Sequence, residues 1–367
     1  MEHNVAHIAS WKIDTPFENW LSHKADNNEM WKKIYVLFYR IFDAEYYKKG
    51  IKLLDKNIEK FCGGGYSLSK REHDDLQIDM IYSLHRFGCM FDEYFLFDFR
   101  HLNSKGRETF VTDKNRWAIY GAYNKDENYA LFLDKNKTYE LYRDFYGREC
   151  MLIAGSEDYE KFSAFIDRHC SVIVKPYNQS GGRGIFILRK DDYATVEDAF
   201  TKAIENGSVF IEELIRSDSE LQSFHEGSLN TLRVPTIYKD REVTVWRPFA
   251  RFGRGDAVVD NAASGGLICL VDEKSGVIYS ARDESGNEYL YHPDSKKQLV
   301  GYRIPRWNEA KDLVIKLANV LPDNRYTGWD IALTKNGWIM VEGNASGQIV
   351  QQIVLKCGLK RELELML

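Results

Sequence analysis

The chain is 367 residues long, with 50 basic and 55 acidic side chains, 44% apolar and 14% aromatic residues. That length allows two or three domains with well-buried cores, and the composition excludes a disordered chain. A formal net charge of -5, with both signs interspersed, gives no case for nucleic-acid binding. No leader and no run apolar enough to span a bilayer is legible, so a cytoplasmic protein is expected. Cys62, Cys89, Cys150, Cys170, Cys269 and Cys357 are scattered without CxxC pairs or histidines at zinc spacing, which predicts reduced, mostly buried thiols.

From Asn28 to about Lys60 the pattern is helical, with Trp31, Ile34, Tyr35, Phe38, Ile41 and Phe42 on one face. Cys62-Gly-Gly-Gly-Tyr66 breaks it. A helix-to-helix turn is the first reading of that triplet, and a phosphate-holding loop is the competing one. Ser69-Lys-Arg-Glu72 predicts a capping box opening the next helix, and another helical, aromatic-rich segment runs from Met80 to Phe99. Residues 1–110 are therefore expected to form a largely helical N-terminal region. It carries no chemistry of its own, though its aromatic rings could supply part of a substrate wall.

After Arg107 short apolar runs alternate with amphipathic stretches: TFVT, WAIYGAY, a helix from Lys135 to Tyr146, MLIAG, and a helix near Tyr159 to Arg168. VIVKPYNQSGGRGIFIL (172–188) follows, then a helix around Val196 to Asn206 and the run VFIEELI. Longer strand-like runs come next, with KDRE, DEKSG and TKNG as hairpin connections. Sequential strands joined by such turns predict antiparallel sheet flanked by helices, an α+β layout with domains at 111–208 and 209–367.

Lys175 ends a β-branched strand, and Ser180, Gly181, Gly182 and Gly184 lie in the loop beyond it. Backbone amides of such a loop can approach anionic oxygens closely. A glycine-rich hairpin with an incidental lysine fits the same residues. GxxxxGK[ST] is absent from the chain, which excludes a Walker-type loop. In GWDIALTKNGWIMVEGN (328–344), period-2 alternation sends Glu342 and Asn344 to one face, with Asp330 opposite them across a hairpin. Three hard oxygen ligands there suit Mg²⁺; a solvated acidic face is the alternative. Trp329, Ile331, Ile339 and Val341 are expected on the buried side.

In VFIEELI, the backbone of Glu212, Glu213, Leu214 and Ile215 could meet a flat heterocycle, with Glu220 a short loop later available to ribose hydroxyls; solvated glutamates are the plain alternative. Arg233, Arg247, Arg251 and Arg254 concentrate between loop and hairpin, and strand geometry puts Arg247 and Arg251 on a shared face. Guanidinium forks suit carboxylate and phosphate oxygens, although Asp256 or Asp260 could instead pair with some of them on the surface.

This order of lysine-glycine loop, Glu-Glu strand, arginine strand and Asp…Glu-x-Asn hairpin resembles the ATP-grasp superfamily over about residues 113–356. Its motif order is similar to that of D-alanine–D-alanine ligases. SLNTLRV, VDNAASGG and GWDIA resemble the bacterial ATP-grasp group associated with sugar transfer and polysaccharide synthesis. The resemblance implies two α+β subdomains clamping ATP between antiparallel sheets. It also implies one or two Mg²⁺ ions on Asp330, Glu342 and Asn344, and a phosphate role for Lys135 in Asp134-Lys135. The activity implied is a carboxylate–amine ligase acting through an acyl phosphate, with a sugar-containing acceptor and an amino acid or other amine as substrates. A kinase and a non-catalytic nucleotide-binding protein remain as alternatives. One departure is Gly328, where such ligases often carry an arginine; Arg233 or Arg251 is expected to supply that charge. His225, His292 and Cys269 are expected to have no catalytic role.

Overall fold

The computed structural model describes residues 15–367 apart from 43, 63–67, 178–183, 216, 257–259 and 261–264, with 42 and 44–49 described by backbone alone. The glycine triplet at 63–65 and Ser180, Gly181 and Gly182 thus lie outside the described residues. The chain divides into two compact units. One gathers the chain up to Ala122 with Arg282–Asn287 and Gln348–Leu367; the other comprises Tyr123–Ala281 and Glu288–Gly347.

The first unit is helical, with α1 (Pro16–Ala25), α2 (Glu29–Phe42), α3 (Ala44–Cys62), α4 (Lys70–Phe87), α5 (Phe91–Leu96), α6 (Ser104–Arg107) and α7 (Asp113–Tyr123). The helix starts follow local chemistry. Thr15 accepts the Glu18 N–H ahead of Pro16, and the Ser69–Glu72 box forms, with the Ser69 N–H donating to the Glu72 carboxylate at 2.8 Å. WAIYGAY belongs to α7, and TFVT forms no regular element. Tyr35, Tyr82, Tyr94, Phe99 and Phe110 are fully buried and build the unit's own core. A buried guanidinium, that of Arg107, pins the core by donating to both Asp79 oxygens at 2.9 and 2.7 Å and to the Phe99 carbonyl at 2.8 Å. Near the C-terminus, the Gln352 side chain exchanges two 2.9 Å hydrogen bonds with the Val111 backbone.

The second unit holds two antiparallel sheets. After α8 (Asp126–Leu133) and α9 (Lys135–Tyr146) come β1 (Cys150–Ile153), α10 (Tyr159–His169), β2 (Ser171–Pro176), β3 (Phe186–Arg189), α11 (Val196–Ile204) and β4 (Val209–Glu213). These strands form a four-stranded sheet in the order β1-β4-β2-β3. Phe162, Phe165, Ile166, Ala199 and Phe200 of α10 and α11 pack on its Val172, Val174, Leu188 and Ile211.

The second sheet follows α12 (Ser219–Gln222). It contains β5 (Thr231–Lys239), β6 (Glu242–Val245), β7 (Phe249–Phe252), β8 (Leu267–Val271) and β9 (Ile278–Arg282), then, after α13 (Trp307–Val320), β10 (Tyr326–Thr334) and β11 (Gly337–Asn344). Its order is β11-β10-β5-β7-β8-β9, with β6 paired to β5. The expected turns are present: Asp240 and Arg241 both have positive φ in the two-residue β5–β6 connection, and Thr334 pairs with Gly337 across Lys335-Asn336.

One register shift corrects the expected alternation. Asp330 pairs with Glu342, but Ile331 pairs with Met340, so Val341 is the extra residue of a bulge. Trp338 and Met340 therefore join Trp329, Ile331 and Leu333 in the core, whereas Ile339 and Val341 are only half-buried.

Within α5, Glu93 is buried and accepts the N–H groups of Met90 and Asp113 at 3.0 and 2.9 Å. Burial pushes its carboxyl up to about 8. The folded chain then binds this proton more tightly than the unfolded one, whose glutamates titrate near ~4.3. Stability is therefore greatest below that value and is lost as pH rises through 8. Thermal melts should fall between pH 5 and 9, and Glu93→Gln should flatten that fall and melt higher than the parent at pH 9.

Candidate active site

Neighbouring strands of the larger sheet present a row of charge on one face. The register pairs Glu342 (β11) with Asp330 (β10), Asp330 with Arg233 (β5), and Thr231 (β5) with Arg251 (β7). Side chains of a pleated sheet alternate, so Trp329, Leu232, Val234 and Ala250 go to the core on the opposite face. Asn344 follows Glu342 by two residues and pairs with Gly328.

The Asp330 side chain, 7% exposed, is held between two guanidiniums. Arg233 donates from Nε to Oδ1 and from Nη2 to Oδ2 at 2.9 Å, and Arg251 Nη2 lies 3.0 Å from Oδ2. Arg251 also donates to the Thr231 hydroxyl at 2.7 Å and stands 3.5 Å from Asp260, whose Oδ2 accepts the Thr231 N–H at 3.0 Å. Burial alone would raise the Asp330 carboxyl, but Arg233 and then Arg251 overcome it and hold it below the ordinary range. Glu342 goes the other way. Its carboxylate reaches solvent yet is enclosed by protein; that partial loss of water, and then the charge of Asp330, raise its pKa against the pull of Lys175, Arg233 and Arg251. Among the described residues none donates a hydrogen bond to it.

On the smaller sheet Lys175 Nζ is hydrogen-bonded to Glu212 Oε1. Oε2 accepts Nε and Nη2 of Arg148 at 2.9 and 2.6 Å. Burial would raise Glu212, but Arg148 and then Lys175 hold it down at about 2. Lys135 opens α9 behind its cap Asp134 and donates to the Tyr177 carbonyl at 3.0 Å. Burial lowers its pKa, Glu342 opposes that and Lys175 adds to it, so these three charges share one neighbourhood.

At Gly328, where the resemblance leads one to expect arginine, a Cβ would come 3.1 Å from Arg233 Cδ, and a Cβ at Gly347 would come 2.9 Å from Arg233 Nη1. The guanidinium from β5 thus fills the space above Gly328.

Other expected residues stand off this charged row. Arg247 has φ +47, which breaks the strand before β7; its N–H donates to Glu273 and its side chain bonds Tyr279, so it does not share the Arg251 face. Glu220 is exposed on α12 and accepts the Tyr302 hydroxyl at 2.8 Å. Glu213 accepts the Glu149 N–H at 3.3 Å, and Leu214 and Ile215 follow β4 half-buried in irregular backbone. Gly184 turns the chain into β3 with φ +70. His225 and His292 bond the carbonyls of Gly255 and Gly253 at 2.9 and 2.8 Å. Sequence reasoning missed Arg148 and read Asp260 as a surface partner; Asp260 is buried. No spacing signal links Arg148 to Glu212, and for Asp260 the signal was its place in VDNAASGG.

Among the described residues no cluster of three or more histidine, cysteine or carboxylate side chains forms a self-contained metal site. The available oxygens are those of Glu342, the amide oxygen of Asn344, which takes the Ser346 N–H at 3.0 Å, and Asp330 Oδ1. Two carboxylates and an amide fit Mg²⁺ completed by phosphate and water.

A family profile described as sugar-transfer associated ATP-grasp matches residues 115–366. The chain belongs to this family and has the ATP-grasp fold. No curated protein matches it. Among solved structures it is similar to the ATP-grasp ligase PsnB in complex with a minimal precursor, at 19% identity and TM-score 0.38, covering 64% of this chain and 60% of that one. It is also similar to D-alanyl-alanine synthetase A of Vibrio cholerae O1 biovar eltor (12%, TM-score 0.37, 63% and 66%) and to the D-alanine–D-alanine ligase of Helicobacter pylori (14%, TM-score 0.41, 65% and 61%). The chain spans less than two thirds of the length of these proteins.

The two carboxylates should respond oppositely to neutralisation. Asp330→Asn takes the counter-ion from the Arg233 guanidinium and leaves Arg251 with only Asp260, and should cost about 3–5 kcal/mol. Glu342→Gln removes a carboxylate that repels Asp330 and gives up no hydrogen bond, so denaturant melts should show it as stable as the parent or more so.

Proposed function

We propose that the protein is an ATP-dependent carboxylate–amine ligase, forming an amide through an acyl phosphate and releasing ADP and phosphate. The observation that carries this reading is the charge order Lys135 and Lys175, Glu342, Asp330, Arg233, Arg251 along one neighbourhood. It offers separate places for a triphosphate, its metal and a reacting carboxylate. Glu342 and Asn344, with the remaining capacity of Asp330, would hold one or two Mg²⁺ ions. When bound, the metal neutralises charge on the β- and γ-phosphates. Lys135 and Lys175 offset the rest, and the strand end at Glu212–Ile215 meets the base, with Glu220 toward the ribose. A substrate carboxylate attacks the γ-phosphorus and ADP leaves; an amine then attacks the acyl carbon and phosphate leaves. Arg233 and Arg251 steady the charge on the transferring phosphoryl group in the first step and the oxyanion formed on amine attack in the second, with no covalent protein nucleophile. Arg247 has no part in this arrangement.

The family's association with sugar transfer supports a uronic acid or similar carboxylate on a sugar-containing acceptor, joined to an amino acid or other amine in the cytoplasm. No helix among the described residues is long and apolar enough to cross a membrane.

An acceptor screen reading ADP and phosphate together tests the proposal. A ligase should release both in equal amounts only when carboxylate and amine are present; a kinase would yield ADP and a stable phosphorylated product without free phosphate. Lys175→Met and Glu342→Gln should each lower turnover by about 10²–10³-fold, the usual effect of removing one electrostatic contact to a transition state. Undiminished turnover in both variants would take this site out of the reaction.

A further inference from the structure

Every N–H of the Arg148 guanidinium is used, at 2% side-chain exposure. Nε and Nη2 donate to Glu212 Oε2 at 2.9 and 2.6 Å, and Nη2 also reaches the Val341 carbonyl at 3.2 Å. Nη1 donates to the carbonyls of Met340 at 2.6 Å and Tyr146 at 3.0 Å. Five donors thus meet five contacts. Two of the acceptors lie one and two residues before Glu342, and Val341 is the bulged residue. A bulge takes a residue out of the regular ladder, so its carbonyl needs a partner elsewhere. The other oxygen of Glu212 holds Lys175. Gly147 lets α9 end close enough for this reach: it has φ +57, and a Cβ there would come 2.5 Å from Ile339 Cγ2.

We propose that Arg148 is a positioning residue that straps the Val341 bulge on the larger sheet to the Glu212–Lys175 pair on the smaller one. It thereby sets where Glu342 stands relative to Lys175. The proposal rests on the reading of Glu342 as a metal ligand and Lys175 as a phosphate-binding group. Lysine cannot replace it, since a single ammonium lacks the planar fork that spans a carboxylate and two strand carbonyls.

The test is calorimetric binding of ADP to the full chain across a Mg²⁺ series, beside thermal melts. In Arg148→Lys the Mg²⁺ concentration for half-maximal ADP binding should rise about 10-fold or more, as when an outer-shell partner of a metal ligand is lost. Metal-free ADP affinity should change much less. Arg148→Gln, whose amide can still donate to Glu212 or to one β11 carbonyl while leaving Lys175 its partner, keeps the question open to measurement if the lysine variant does not fold. It should show the same Mg²⁺ shift. A folded variant that melts lower but keeps the parental Mg²⁺ dependence would make Arg148 a structural residue only and overturn the proposal. ADP binding by the parent that ignores Mg²⁺ would overturn the ligase reading and this proposal together, and it is told apart by appearing before any substitution.

Discussion

The buried carboxylate of Asp330, gripped by Arg233 and Arg251, is the contact on which the charged face depends. Two guanidiniums set side by side on a sheet would repel each other and be costly to bury without an anion between them. Asp330 supplies that anion, and Asp260 and Thr231 support Arg251 from its other side. With Asp330 so occupied, the negative charge left over is Glu342, next along the row. It is also the member of the row that reaches water and receives no hydrogen bond from the described residues. The fold therefore places its least compensated charge at the edge of the face, toward Lys135 and Lys175, where a cation and an anionic ligand could complete it.

That placement depends on two sheets keeping register with each other. Lys175 stands on the smaller sheet and Glu342 on the larger, and hydrogen-bonded ladders run only within each sheet. Arg148 crosses between them through Glu212 on one side and two β11 carbonyls on the other. A buried arginine with all donors satisfied is a stiff connection, because loosening any one contact leaves a buried N–H or carbonyl without a partner. Glu212, held ionised well below the ordinary glutamate range, keeps the charge that makes the crossing worthwhile.

Much of this was legible from the residues because it is local. Ser69-x-x-Glu72, the two-residue turns, and the alternation that joins Glu342 to Asn344 each rest on neighbours within a few positions. The ATP-grasp resemblance extended the reading by giving an order of motifs. What escaped was non-local or broke a period. The Val341 bulge moved Met340 into the core and Ile339 out of it, and no residue type announces a bulge. Arg247 was placed by strand continuity, which a left-handed backbone at that residue interrupts. Arg148 meets Glu212 only through the fold. In α2 periodicity chose the buried face only in part: Tyr35 is buried as expected, but Ile34 and Ile41 are exposed while Val36 and Tyr39 fill the core.

Gly328 shows why motif position and chemical position can separate. Side chains paired across an antiparallel ladder have Cβ atoms about 4.5–5.5 Å apart, well within the reach of an arginine. A cation over Asp330 can therefore come from the same strand two residues away or from the strand beside it, and the carboxylate is served equally. Here Arg233 comes from β5, and its guanidinium lies across the spaces over Gly328 and Gly347. An arginine added at position 328 would meet the one already there. A Cβ at 328 would stand 3.1 Å from Arg233 Cδ, so a side chain there needs the Arg233 stem to give way by a few tenths of an ångström.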